Sequence, residues 1–266
     1  SSAASDVYKR QVTIIAVPGV PDIRHGDNLV QILGNCLEEV DLVPKEGDIL
    51  CIAHKIFSKA EGNIIALKDV VPSPEARAMA AKLNKDSRKV DVIMRESNHV
   101  VRSFKRPDQN EGVMICEHRL GFISANAAVD ESNTEDDQTV ITLPKDPDAS
   151  AELLKVELAN RFGVRLGVVI TDTFGRPWRL GQVNVAVGLA AVPATKQTNG
   201  KRDAWGRPLM VTEPAFADEI SAASGLVVDK AAKTPLVLFR GLDWQVTNSR
   251  AADILRKKQE DMFRGG

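Results

Sequence analysis

Residues 168–182 read VVITDTFGRPWRLGQ, and the fold turns on how their apolar start gives way to a polar middle. Val168, Val169 and Ile170 form a continuous apolar run, the pattern of a buried strand. The run stops at Thr171-Asp172-Thr173, and Gly175 and Pro177 follow, which predicts a strand delivering a carboxylate and two hydroxyls into a turn. An ionised Asp beside an apolar layer must be paired, hydrogen-bonded or bound to a metal. Asp172 is therefore the first candidate ligand. Arg176 and Arg179 add two fixed cations a few residues on, an arrangement suited to phosphate or to a substrate carboxylate. An ordinary Asx-type turn with two solvated arginines reads the same residues equally well, so the rest of the chain must decide.

At 266 residues, 43% of them hydrophobic, the chain can bury a substantial core in one large domain or two small ones. Lys plus Arg, 35, nearly balances Asp plus Glu, 36, which argues against an extended nucleic-acid or membrane footprint. The least polar long stretch, 183–194, holds Asn184 and falls well short of the roughly 20 apolar residues of a membrane span. Cys36, Cys51 and Cys116 are widely spaced with no CxxC, so they read as buried hydrophobes in a reduced, cytoplasmic setting. Residues 1–11 lack any hydrophobic period and are set aside as a leader or a remnant of preparation. That leaves 12–266 as the folded unit, with a more polar segment near 66–110 that reads as an inserted subdomain.

Along the chain, 12–17 (VTIIAV) is the first strand, broken by Pro18-Gly19-Val20-Pro21. Asp27 and Asn28 are placed to cap a helix over 29–39. A second strand, 48–53 (DILCIA), runs into His54-Lys55-Ile56-Phe57-Ser58-Lys59. There, two lysines four apart suit phosphates, or else a solvated strand end. Helices are expected over 74–85 and 89–96, and strands over 100–104, 112–117, 121–124 and 140–143. Small residues at 125–129 precede Asp130, the second candidate metal ligand, whose other reading is a turn Asp. A helix over 149–161 stops at Gly163, and a strand is expected over 183–191. The spacing then predicts a helix over 214–224, a segment at 226–234 suited to phosphate or to partner packing, a strand over 235–239 and a closing amphipathic helix over 251–263.

Several chemistries are absent from the sequence. There is no phosphate loop of the G-x-x-x-x-G-K-[ST] type, no G-x-G-x-x-G, no H-E-x-x-H and no G-x-S-x-G. The four histidines are scattered, which does not suggest a zinc cluster. Isolated aspartates at strand ends remain, together with lysines and arginines, and hard oxygen ligands favour magnesium or manganese bridged by substrate phosphates.

In combination these motifs are informative. Val20-Pro21, Ser58-Lys59-Ala60-Glu61-Gly62, Val129-Asp130-x-Ser132-Asn133, Ile170-Thr171-Asp172-Thr173-x-Gly175-Arg176, Ala217-Asp218-Glu219-Ile220 and Phe239-Arg240-Gly241 resemble, in this order, the coenzyme F420-0:L-glutamate ligase family in its single-domain form. They also resemble the amino-terminal half of its longer bacterial version. The resemblance implies an α+β fold with mixed sheets and flanking helices in an intertwined homodimer. It implies a GTP-dependent amide ligase that joins L-glutamate to the carboxylate of F420-0 with Mg2+ or Mn2+, and K+ as a further ion. The family's metal ligands fall on Asp130, Asp172 and Thr173. Its nucleotide contacts fall on Val20, Pro21, Asp22 and Ile23, on His54, Lys55 and Lys59, on Asn133, and on Val228, Asp229, Lys230, Ala231, Ala232, Lys233, Thr234 and Pro235. Asp229 stands where the family usually carries Gly.

The chemistry of such a ligase asks for these residue types. A carboxylate must become an acyl phosphate before an amine can attack it, and metals at Asp130 and Asp172 would neutralise the phosphates. Lys59 would add a point charge, while Arg176 or Arg179 would orient either carboxylate. Trp178 would stack on the deazaflavin ring or pack as a lid. A related ligase with another acceptor or amino acid, or a nucleotide-binding protein of the same fold without turnover, reads much of the same pattern.

Overall fold

A computed structural model describes residues 11–132, 138–197, 202, 204–207, 212–228 and 233–261. The fold is α+β. Its centre is a five-stranded sheet in the order β1-β10-β2-β8-β9, made of β1 (Thr13–Val17), β2 (Asp48–Ala53), β8 (Leu166–Arg176), β9 (Arg179–Ala190) and β10 (Leu236–Arg240). Only β2 and β8 are parallel; the other neighbours run antiparallel. Both faces of this sheet are covered, which is why β2 and β8 read as unbroken apolar runs rather than alternating ones.

On one face, Leu50, Ile52, Val168 and Ile170 pack with Leu33 and Leu37 of α1 (Leu29–Glu39) and Leu154 and Leu158 of α5 (Pro147–Phe162). On the other, Ile49, Cys51 and Val169 meet Phe216, Ala217 and Ile220 of α6 (Phe216–Ser224). The predicted caps act as expected in part. The Asn28 side chain accepts from the Gln31 N–H at 3.0 Å, whereas Asp27 turns back to the Arg24 N–H. Helix α5 starts two residues before the expected 149, because Asp146 caps it and Pro147 takes its first position.

A second layer is built around α3 (Pro74–Leu83), α4 (Ser87–Arg95) and a three-stranded sheet of β4 (Ser97–Phe104), β5 (Val113–His118) and β6 (Ile123–Ala125). These elements share a core of their own around Leu83, Val90, Met114 and Cys116. The short pair β3 (Ile64–Ala66) and β7 (Thr139–Ile141) completes the strands. The three cysteines are free and buried, and burial pushes the Cys51 thiol up to about 12. Among the described residues no helix is long and apolar enough to cross a membrane.

Three expectations are corrected. The chain does not turn at Thr171–Thr173; β8 runs on to Arg176, because β9 pairs with it all the way to Arg179 and the turn falls at Pro177-Trp178. Residues 54–60 are not a strand end but the helix α2 (His54–Ala60). The closing helix over 251–263 is replaced, within the described residues, by two short 3-10 turns, Ala251–Ile254 and Lys258–Glu260. From 256 to 260 the sequence is Arg-Lys-Lys-Gln-Glu, so no apolar residue pins a further helical turn to the body.

Candidate active site

The topology gathers one end of four strands into a cleft. Ala53 is paired with Thr171 across the parallel β2–β8 ladder, so His54, just past the end of β2, and Asp172, within β8, stand side by side. Strand β10 runs the other way, and its entry residue Pro235 accepts from the Ala53 N–H at 2.9 Å. Strand β1 ends beside Leu236 and continues into 20–23 at the same edge. The carboxyl ends of parallel strands are where open α/β sheets leave a crevice for ligands.

The cleft is lined by Val20, Pro21, Asp22 and Ile23 after β1, by His54, Lys55 and Lys59 on α2, and by Asp172 and Thr173 on β8. Val228, Lys233, Thr234 and Pro235 close its far wall. Lys55 and Lys59 share a helix face because four residues make about one turn. Lys233 reaches Asp22 at 2.9 and 3.0 Å, a pair that joins the two walls. The Lys233 ammonium holds the Asp22 carboxyl below the usual range.

Asp130 comes from the other layer. A left-handed turn at Asn126, Ala127 and Ala128, with φ of 52°, 49° and 54°, leads to it. That region disfavours side chains by roughly 1–2 kcal/mol per residue. Strain of this kind collects where a loop must hold a functional group. Asp130 then exchanges backbone hydrogen bonds with Ile141 at 3.0 and 2.8 Å. One of its oxygens accepts from the Lys55 ammonium at 2.7 Å and the other from the Ser132 N–H at 2.6 Å. Burial raises the carboxyl's pKa, but Lys55 and Ser132 together outweigh it and leave it below the ordinary value.

Asp172 is nearly buried, and its Oδ1 lies 3.3 Å from Nε2 of the buried His54. One ligand atom each from His54, Asp130 and Asp172 falls within a span of 4.8 Å. Two carboxylates and an imidazole that converge from three separate segments, beside several ammonium groups, fit a divalent cation and the phosphates it would bridge. On the inner side, the Thr173 hydroxyl donates to Asn184 Oδ1 at 2.9 Å, and Asn184 in turn donates to Ser224 at 3.2 Å.

Arg176 and Arg179 stand apart from this cluster. They pair across the tip of the β8–β9 hairpin, and Arg176 lies four residues beyond Asp172, roughly 13 Å along a strand. Arg176 donates to the Leu180 carbonyl at 3.1 Å, and Trp178 between them is 82% exposed. Asn133 and Asp229, Lys230, Ala231 and Ala232 lie outside the described residues. Sequence reasoning did not select Asn184 or Ser224 as cleft residues. The signal for Asn184 was there, since it is the one amide in an otherwise apolar stretch; nothing in the sequence marks Ser224.

Residues 19–241 match the family model described as F420-0:Gamma-glutamyl ligase. The chain is 40% identical, over 96% of its length and 99% of the relative's, to a protein of Methanothermobacter thermautotrophicus named coenzyme F420:L-glutamate ligase. Proteins of the same name from Methanopyrus kandleri and Archaeoglobus fulgidus are 42% and 34% identical, over 93% and 96% of this chain and 96% and 97% of their own lengths. The cleft, the order of its motifs and these matches over nearly the whole chain place the protein in the F420-0:gamma-glutamyl ligase family, to which it belongs.

Proposed function

We propose that the protein joins L-glutamate to the carboxylate of F420-0 in coenzyme F420 biosynthesis, at the expense of GTP and with a divalent metal. The observation that carries this reading is the meeting of Asp130 and Asp172 within one 4.8 Å cluster, at the mouth of a cleft lined by Lys55, Lys59 and Lys233. Two positioned acids beside three ammonium groups suit phosphoryl transfer to a carboxylate better than simple nucleotide storage.

The reaction balances as follows. An acceptor carboxylate oxygen attacks the γ-phosphorus and the bond to the β,γ-bridging oxygen breaks, giving GDP and an acyl phosphate. The glutamate amine, once deprotonated, attacks the acyl carbon, and phosphate leaves with an oxygen that belonged to the acceptor. Mg2+ or Mn2+ held by Asp130, Asp172 and Thr173 would supply charge neutralisation on the phosphates. Lys59 would hold the terminal phosphates from α2, and residues 20–23 would cradle the nucleotide across from Lys233 and Thr234. Asn184 fixes the Thr173 hydroxyl, so that group meets its ligand already oriented. Arg176 and Arg179 would orient a substrate carboxylate from the hairpin tip.

A homodimer belongs to the same reading. The hairpin arm carries Trp178 at 82% and Leu180 at 98% exposure, beside an apolar groove that includes Phe122, Phe174 and Leu255. An arm and a groove on one chain can exchange across a two-fold axis, each arm filling the other copy's groove. The test of the activity is the product mass after incubation with F420-0, L-glutamate, metal and GTP or ATP. A nucleotide-dependent gain of glutamyl units that Asp172→Ala abolishes supports the ligase. Tight metal and nucleotide binding with no mass gain would turn the reading toward another acceptor or a binding protein.

A further inference from the structure

We propose that His54 is itself a metal ligand, so that the cluster is a mixed nitrogen and oxygen site that selects Mn(II) and later first-row ions over Mg(II). The proposal rests on the metal-dependent reading above and goes beyond it, because that reading assigns the ion to the oxygen ligands Asp130, Asp172 and Thr173 alone. His54 is 2% exposed, and its Nδ1 lies 3.2 Å from the hydroxyl of the fully buried Ser58, one turn later on α2. Its Nε2 is buried and makes no hydrogen bond, although Asp172 Oδ1 is only 3.3 Å away. Were Nε2 the protonated nitrogen, a carboxylate at that distance would be its natural acceptor. Ser58 can pair with Nδ1 in either tautomer, and in the one whose Nδ1–H donates to Ser58 the buried Nε2 presents a lone pair toward Asp172 and Asp130.

A lone pair and a carboxylate oxygen that face each other away from water are both acceptors, and the pair is unfavourable unless something positive lies between them. The third partner is at hand. Asp130 offers an oxygen within the same 4.8 Å span, close to the roughly 4.2 Å across a coordination sphere with bonds of about 2.1 Å. Ser58 then serves as the outer hydrogen bond that fixes ring orientation and tautomer, as metal-bound histidines require. Imidazole suits manganese and later transition ions, whereas magnesium keeps to oxygen ligands.

The test uses the full-length protein and Mn(II) alone, without nucleotide. Free Mn(II) is counted by its electron paramagnetic resonance signal, and pulsed spectra of the bound ion are read for coupling to a nitrogen nucleus. One tightly bound Mn(II) with imidazole coupling is expected. His54→Gln loses the coupling and binds Mn(II) at least about tenfold more weakly, while its Mg(II) affinity changes less. Ser58→Ala retains the imidazole, keeps the coupling and weakens Mn(II) binding. The wild-type spectrum needs no variant to fold, so it decides by itself. Bound Mn(II) without nitrogen coupling, or coupling that survives His54→Gln, overturns the role of His54 and leaves the metal reading standing. No Mn(II) binding with or without GTP removes the metal reading and this proposal with it.

Discussion

Replacing Arg240 by Met would strip a guanidinium from a carboxylate that has almost no access to water. Asp48 opens β2 with its side chain 2% exposed. Arg240 donates to it from Nη2 at 2.6 Å and from Nε at 3.1 Å to each oxygen, and the Lys45 N–H adds a bond at 2.8 Å. Removing one partner of a buried pair costs about 3–5 kcal/mol. Arg240 is itself 27% exposed, so the lower end, about 3 kcal/mol, applies after solvent screening. For a chain of this size that is a fall in Tm of about 6–12 °C. Adding Asp48→Asn removes the orphaned charge, and the double variant should recover all but about 1 kcal/mol. Urea unfolding and calorimetry at one fixed protein concentration measure both, since self-association would otherwise enter the result. A single variant within 1 kcal/mol of wild type, or a double variant no more stable than the single, refutes the reasoning. The consequence reaches the site, because this pair ties together β2 and β10, whose other ends present His54 and Pro235.

Other parts of the fold give further expectations. Asp218 accepts from the Ala186 N–H at 2.9 Å, and burial raises its carboxyl above the ordinary range. A raised carboxyl stabilises the fold least once pH exceeds its folded pKa, so Asp218→Asn should be more stable than wild type at pH 7. That advantage should vanish as pH falls below the ordinary value of about 4, which unfolding at the two pH values checks. Lys233→Met breaks an exposed pair with Asp22 and should leave stability essentially unchanged. It should nonetheless weaken nucleotide binding about tenfold or more by calorimetric titration, as loss of a charge-assisted contact implies. Ala128→Gly relieves about 1–2 kcal/mol of left-handed strain and loses about 0.5–1 kcal/mol through the freer unfolded chain, so a net gain of under about 1 kcal/mol is expected, visible as a higher urea midpoint.

Much of this was legible in the sequence where local chemistry dictates it. The apolar runs of β2 and β8 announced strands covered on both faces, Asn28 and Gly163 marked helix ends, and Asp172 stood out as a charge beside an apolar layer. Whatever depended on a partner strand was not legible. Thr171–Thr173 reads as a turn until β9 is known to pair with it, and Pro177-Trp178 then takes the turn instead. Residues 54–60 are short enough for a strand end, yet they fold as a helix, and that helix sets Lys55 and Lys59 one turn apart instead of the roughly 13 Å that an extended strand would leave between them. Asp130 and Asp172 are 42 residues apart, and the segment leading to Asp130 passes through a left-handed turn that Asn126 tolerates but that no local propensity favours at Ala127 and Ala128. The arginines at 176 and 179 were adjacent to Asp172 in sequence, but an extended strand carries them away from it.

Activation of a carboxylate as its acyl phosphate is the step we propose for this cleft. It is tested most directly by following oxygen from F420-0 labelled with 18O in the acceptor carboxylate, in the presence of GTP, metal and L-glutamate. Each amide formed is expected to send one labelled oxygen into inorganic phosphate, and Asp172→Ala to abolish amide and label transfer together. Amide formation with unlabelled phosphate would contradict it.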